Sequence, residues 1–219
     1  ADGECQQVVR GVGQQVLDKL RSMNHFDGFT RSPSGNLIVK QDPEFTKLAF
    51  DEMVVDAGVD VLLCAMVTDA EVEDGWIRSI TCVDDEGKFH VTGKVFVDAS
   101  GEANLSAQAG APVEFHCEQS GALVFRIGNV KPGTDVTPNA IRAVAGGMTG
   151  FSAMSGSMMV VQDTNDYTVN LISLKIPGLD AQTQTECEME GRRQVHLYVE
   201  AFKKYLPGCE ESFLVNSGP

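Results

Sequence analysis

The chain has 219 residues and a formal charge of −14. That length holds one large domain or two small ones around a sizeable core. Its Lys and Arg are scattered through an acidic background, which argues against a nucleic-acid partner, because phosphate binding needs a basic patch. No apolar run approaches the roughly 20 residues that cross a bilayer, and the N-terminus lacks a basic-then-apolar leader pattern, so no membrane partner is expected. The six cysteines (Cys5, Cys64, Cys82, Cys117, Cys187, Cys209) show no CxxC or metal-ligand spacing. They read as reduced thiols of a cytoplasmic protein, with no metal site.

Taken in order, residues 6–23 place Val8, Val9, Val12, Val16, Leu17 and Leu20 at spacings of three and four, an amphipathic helix. Gly11-Val12-Gly13 lies inside it, but Val16 stands where a dinucleotide fingerprint needs a third glycine, so helix packing is the better reading. Residues 24–36 read as a polar loop with a surface His25, and Leu37-Ile38-Val39 as a short extended piece. Asp42-Pro43-Glu44 then supplies an N-cap acid, a first-turn proline and a first-turn carboxylate, which starts a helix over residues 43–57. Its expected buried stripe is Phe45, Leu48, Ala49 and Met53, and Gly58 stops it.

Residues 58–67 form a mostly apolar run that reads as a buried strand ending at Val67. Three shorter segments follow, 68–73, 76–83 and 89–93, separated by Asp74-Gly75 and Glu86-Gly87. Asp-Gly between strand-like runs is a hairpin signal, so a three-stranded antiparallel meander is expected, with Trp76 and His90 as structural members. Val95, Phe96 and Val97 are again consecutive and apolar, as in a parallel strand covered on both faces. Asp98-Ala99-Ser100-Gly101 then leaves little bulk at the strand's end, where open α/β sheets bind ligands.

The stretch VFVDASGEANLSAQAGA, residues 95–111, resembles the FAD-dependent oxidoreductase family of glutathione-reductase-like flavoproteins. In that family a strand ends in Asp-Ala-Thr-Gly, followed by an acidic residue and a short helix. Ser100 stands where Thr is usual and Glu102 where Asp is usual. The order of helix, strand, meander and strand over residues 41–112 resembles the same family. The resemblance implies FAD as cofactor, with Ala99, Ser100, Gly101 and Glu102 passing beside it and Val67 contacting its adenine part through the backbone. It also implies that the chain lies after the Gly-rich dinucleotide motif and ends before a second cofactor-contacting segment. On that expectation the chain is a middle portion of a parent enzyme, lacks the flanking segments as partners, and binds FAD weakly or not at all alone.

Beyond residue 112 the pattern changes. Residues 113–117 and 122–128 read as strands, 137–145 as a short helix, and the Gly/Met/Ser-rich residues 146–157 as a flexible connection or a lid. Residues 158–161 and 167–174 read as an antiparallel pair. A Thr185-x-x-Glu188 capping box opens a last helix with the stripe Val195, Val199, Phe202 and Leu206, stopped by Pro207-Gly208. The segment 188–208, with the strand LVFRIGNV, resembles the substrate-domain portion of the same family.

The expected fold class is therefore α/β plus α+β. Residues 1–112 form an incomplete Rossmann-like FAD-binding domain carrying the meander, and residues 113–219 an antiparallel-sheet-plus-helix substrate domain. No catalytic residue is nominated, because His25, His90, His116 and His196 show no ligand spacing and no nucleophile-base pair stands out. Arg126 reads as a salt-bridged strand residue, with contact to an anionic substrate as the less favoured reading. The expected function is part of an FAD oxidoreductase acting on a small-molecule substrate. The alternatives are a non-flavin ligand-binding or interaction module on the same scaffold, and a structural assembly domain.

Overall fold

The computed structural model describes residues 10–31, 37–39, 41–118, 120–146, 149–152, 156–161 and 164–218. The chain divides into two compact units, one of Ala1–Met53 with Cys117–Pro219 and one of Val54–His116. Every strand pair among the described residues is antiparallel, in four small sheets accompanied by five helices.

In the first unit, helix α1 (Val12–Ser22) precedes a hairpin of β1 (Phe29–Arg31) and β2 (Leu37–Val39) and then helix α2 (Pro43–Asp56), whose last turn crosses the unit boundary. Val8 and Val9 of the expected first helix lie outside the described residues. Within the expected polar loop, Phe29 pairs with Val39 and Arg31 with Leu37, so that loop contains a strand. Leu20, Phe26 and Ala49 are buried together, with Val16, Leu17, Val39 and Phe45 packed around them. The Asp42 carboxylate accepts from the Glu44 N–H at 2.8 Å, which is the expected helix start. The expected stripe holds at Ala49, which is buried, and at Phe45, which packs on that cluster, while Thr46 is buried and Leu48 is 44% exposed. Lys19 of α1 pairs with Glu52 of α2 at 2.6 Å.

The larger part of the same unit is a sheet packed on a long helix. Strands β6 (Ser120–Gly121) and β7 (Phe125–Gly128) are followed by helix α4, with α3 defined below, over Pro138–Gly146. Then come β8 (Ser157–Val160), β9 (Tyr167–Asn170), β10 (Leu174–Lys175), helix α5 (Ala181–Tyr205) and β11 (Phe213–Ser217). The main sheet runs β11-β7-β9-β8. Its inner face buries Phe125, Ile127, Met158 and Val169 against Val195, Val199, Phe202 and Leu206, the expected stripe, to which Tyr198 adds. The Tyr198 hydroxyl donates to the Leu171 carbonyl at 3.1 Å, which lets a phenol sit in a core without an unsatisfied proton.

Two expectations fail here. Helix α5 starts earlier than the Thr185–Glu188 capping box: Asp180 is the N-cap, accepting from the Thr183 N–H at 3.0 Å, and the Thr185 hydroxyl donates to the Ala181 carbonyl inside the helix. An Asp-x-x-Thr start satisfies the same free amides as a capping box would, so the upstream cap wins. Residues 113–117 form no strand, and β11, which carries few sequence cues, completes the sheet edge in their place.

The second unit is built on the meander, as expected: β3 (Met66–Glu73), β4 (Trp76–Asp84) and β5 (Gly87–Thr92), in the order β3-β4-β5. Asp74 and Gly75 have φ of 52° and 78°, the left-handed turn that Asp-Gly favours between twisted strands. At the second turn the Asp84 carboxylate accepts from the N–H groups of Glu86 and Gly87 at 2.9 and 3.1 Å. Helix α3 (Asn104–Gln108) closes the unit.

Neither buried parallel strand is present. Residues 59–65 and 94–98 form no regular element and pair with no strand among the described residues, and Cys64 has a left-handed φ of 59°. Leu62 is 66% exposed, Leu63 76%, Val95 79% and Val97 81%. Consecutive apolar residues signal a strand covered on both faces only where covering layers exist, and neither segment has them here.

Truncating Phe202 to Ala is expected to destabilise the sheet-and-helix part by about 3–5 kcal/mol. Tyr198→Phe, which leaves the Leu171 carbonyl without its donor, is expected to cost about 1 kcal/mol, both read from denaturant midpoints at unchanged m-value.

Candidate functional site

The turn at residues 98–103 is held by one carboxylate. Asp98 Oδ1 accepts from the Ser100 N–H at 3.1 Å and the Ser100 hydroxyl at 2.7 Å. Its Oδ2 accepts from the Ser106 N–H at 2.8 Å and the Ser106 hydroxyl at 2.7 Å. The Ser100 oxygen in turn accepts from the Asn104 N–H at 2.9 Å, at the start of α3. The Ser100 hydroxyl, then the N–H and hydroxyl of Ser106 and last the Ser100 N–H, hold the Asp98 carboxyl well below the usual carboxylate range. Gly101 has φ 86° and Ala103 φ 54°, both in the left-handed region, so the chain turns sharply before α3.

Around this carboxylate, Ala99, Ser100, Gly101 and Glu102 are all exposed. A Cβ built on Gly101 would meet no atom within 4 Å, so the backbone there is open to close approach by a ligand. The turn follows a segment without strand partners among the described residues, and not the end of a buried parallel strand as the sequence implied. Val67 is the second residue of β3, at the edge of the meander. Gln108 of α3 donates from Nε2 to the Val67 carbonyl at 3.1 Å. That contact joins the Val67 backbone to the helix that Asp98 anchors. Sequence reading missed it because the partners lie 41 positions apart.

The remaining candidates resolve into structural roles. The guanidinium of Arg126 donates from Nε and Nη2 to Asp166 Oδ2 at 2.8 and 2.7 Å, so it is a salt-bridged strand residue as expected. Gly11 is the N-cap of α1 at φ 72°, in line with helix packing. Within the Gly/Met/Ser-rich stretch, residues 147–148 and 153–155 lie outside the described residues. Its described part is tied down: Gln194 of α5 accepts from the Ser152 N–H at 2.9 Å and donates to the Gly150 carbonyl at 2.7 Å, while Phe151 packs on Tyr198. The Arg193 guanidinium and the Gln194 amide, in that order, pull Glu190 down to about 2. Burial pushes the Cys209 thiol up to about 11, which makes it an inert core thiol. His25 stacks on Phe45, so it is a packing residue and not the surface histidine expected. No cluster of three or more metal-ligating side chains occurs among the described residues. No helix among them is long and apolar enough to cross a membrane.

A cleft of about 250 Å³ in the sheet-and-helix part is lined by Ser120, Ser157, Asn170, Leu171, Ile172 and Ser173, among others, with no charged side chain in its wall.

The sequence matches the family of FAD dependent oxidoreductases over residues 1–219, and the chain belongs to that family. FAD is accordingly the cofactor of the enzymes built on it. No curated protein matches the sequence. Among solved structures, a geranylgeranyl bacteriochlorophyll reductase-like protein from Thermoplasma acidophilum is 15% identical, with a TM-score of 0.55 over 91% of this chain and 53% of that one. L-proline dehydrogenase from P. horikoshii is 13% identical, with a TM-score of 0.51 over 94% of this chain and 50% of that one. The chain thus spans about half the length of these structures, and at such identities the likeness is one of fold. The residues present fit FAD in one respect: the anchored turn offers an exposed backbone with open space at Gly101.

Because its folded-state pKa is depressed, Asp98 contributes stability that is complete above the ordinary Asp range and lost as the pH falls below it. Amide exchange at Ser100, Asn104 and Ser106 is expected to show protection that is flat from neutral pH to about pH 4 and declines below it. In Asp98→Asn, which retains at most part of the four-donor cage, protection is expected to be lower and its acid dependence gone.

Proposed function

We propose that the chain is the middle portion of an FAD-dependent oxidoreductase of the glutathione-reductase-like kind, acting on a small-molecule substrate. The observation that carries this reading is the turn built on Asp98, with its exposed backbone at Ala99, Ser100, Gly101 and Glu102, in a chain of this family. These residues and the Val67 backbone form the cofactor face. When bound, FAD supplies the hydride and electron chemistry; the chain's own part is to hold a rigid backbone surface in position. The antiparallel sheet with α5 is the substrate-domain portion. The partners in this reading are the small-molecule substrate and the flanking segments of the parent chain. Such segments would cover Leu62, Leu63, Val95 and Val97, whose exposure is unusual for a finished fold. The Rossmann-like part is incomplete, and the chain by itself is not catalytic.

A non-flavin ligand-binding module on the same scaffold is the alternative. The cleft beside Asn170 and Ser173 favours it, since an uncharged, partly apolar wall suits a neutral small molecule without any cofactor.

The test is a titration with FAD followed by flavin fluorescence, on the purified chain and on the full-length protein. The full-length protein is expected to quench stoichiometrically and the chain alone to leave most of the fluorescence intact. Tight quenching by the chain alone would overturn the incomplete cofactor site, and no binding by the full-length protein would remove the flavin reading.

A further inference from the structure

We infer that Gln108 is a positioning residue that sets the Val67 backbone and the Asp98 turn at a fixed separation, making α3 a strut between the two segments assigned to the cofactor face. The inference rests on the proposed cofactor face and adds to it a residue that touches no ligand itself.

Helix α3 is short, and both of its ends are committed. At its start Asn104 gives its N–H to the Ser100 hydroxyl oxygen, and at its middle Ser106 gives its N–H and its hydroxyl to Asp98 Oδ2, so the turn and the helix are tied together. At its end, Gln108 reaches across to the Val67 carbonyl at 3.1 Å. Val67 lies on the edge strand β3, opposite Cys82 of β4, and among the described residues no strand flanks the other side of β3. A backbone carbonyl of an edge strand needs a partner wherever water is kept out, and the Gln108 amide is one for Val67.

The amide orientation is fixed by chemistry. Turned over, the side chain would set its oxygen against the Val67 oxygen, so Nε2 must face the strand. The Gln108 Oε1 atom is then enclosed by protein with no hydrogen-bond partner among the described residues. An enclosed oxygen is out of reach of a ligand, which is why the role is positioning and not contact. An unsatisfied buried oxygen also disfavours this arrangement, so a plain apolar side chain would pack there more cheaply if holding Val67 were not its function.

The variants Gln108→Glu and Gln108→Leu separate this role from general packing. The ionised carboxylate of Gln108→Glu has the shape of the amide and no proton to donate, and it faces a carbonyl oxygen that disfavours its charge. Its pKa is therefore raised, and as the pH falls through about 5 the protonated acid regains a donor. In the full-length protein, the FAD dissociation constant by fluorescence quenching at pH 7.5 is expected to rise roughly threefold to tenfold in both variants, the range one hydrogen bond gives. Lowering the pH to about 5 is expected to restore Gln108→Glu toward the wild-type value at that pH and to leave Gln108→Leu impaired. Independently of flavin, amide exchange within residues 66–68 is expected to speed up in both variants at pH 7.5, with residues 80–92 unchanged. Wild-type dissociation constants in both variants, or equal recovery of the two at low pH, would overturn the positioning role. Failure of the wild-type full-length protein to bind FAD would instead strike the cofactor face, and the exchange measurement would still decide whether Gln108 holds Val67.

Discussion

The Asp98 carboxylate is the constraint on which the cofactor face depends. A carboxylate offers about four acceptor positions, and here two oxygens take four donors, two from Ser100 and two from Ser106. A group so fully committed has no capacity left to act as a general base. Its work is to convert a flexible run of small residues into a turn of one shape. Ser100 completes it by passing its oxygen to the Asn104 N–H. The interaction needs a hydroxyl and not a methyl, so a serine at a position where the family usually has threonine keeps the chemistry intact.

The sheet-and-helix part rests on different physics. Its order comes from apolar burial, with Phe125, Ile127, Val169, Tyr198 and Phe202 fully enclosed. Several polar groups near that core are matched: Tyr198 with Leu171, Gln194 with Gly150 and Ser152, and Arg126 with Asp166. Pairing of this kind fixes the described part of a Gly-rich stretch that composition alone marks as loose. Burial supplies the larger energy, and the pairs select one arrangement out of many similar ones.

Local chemistry decided what the sequence revealed. Asp74-Gly75 announced a hairpin because only a few residues accept its backbone angles, and Asp42-Pro43-Glu44 announced α2 because three independent helix-start preferences coincide there. The stripe of α5 was legible because Val195, Val199 and Phe202 recur at the helical spacings of four and three. The residues 59–63 and 95–97 misled, since apolar content reports what a segment can bury and not whether a neighbour is there to bury it. At the candidate site, the turn was visible as a motif, but its mechanism was not. The links from Asp98 to Ser106 and from Gln108 to Val67 span eight and 41 positions, and no local pattern encodes such pairs.

The uncovered segments have a practical meaning for handling the protein. Val59, Val61, Leu62 and Leu63 are exposed on a run whose backbone pairs with no strand among the described residues. A bare run of that kind offers both hydrogen bonds and greasy side chains to any similar run that drifts past, the usual seed of sheet-like precipitation. Its negative charge of 14 works against such encounters at low salt, and added electrolyte screens that repulsion while leaving the apolar attraction in place. The chain handled by itself should therefore stay dispersed in dilute buffer and clump as ionic strength rises, the reverse of a protein held in solution by salting-in.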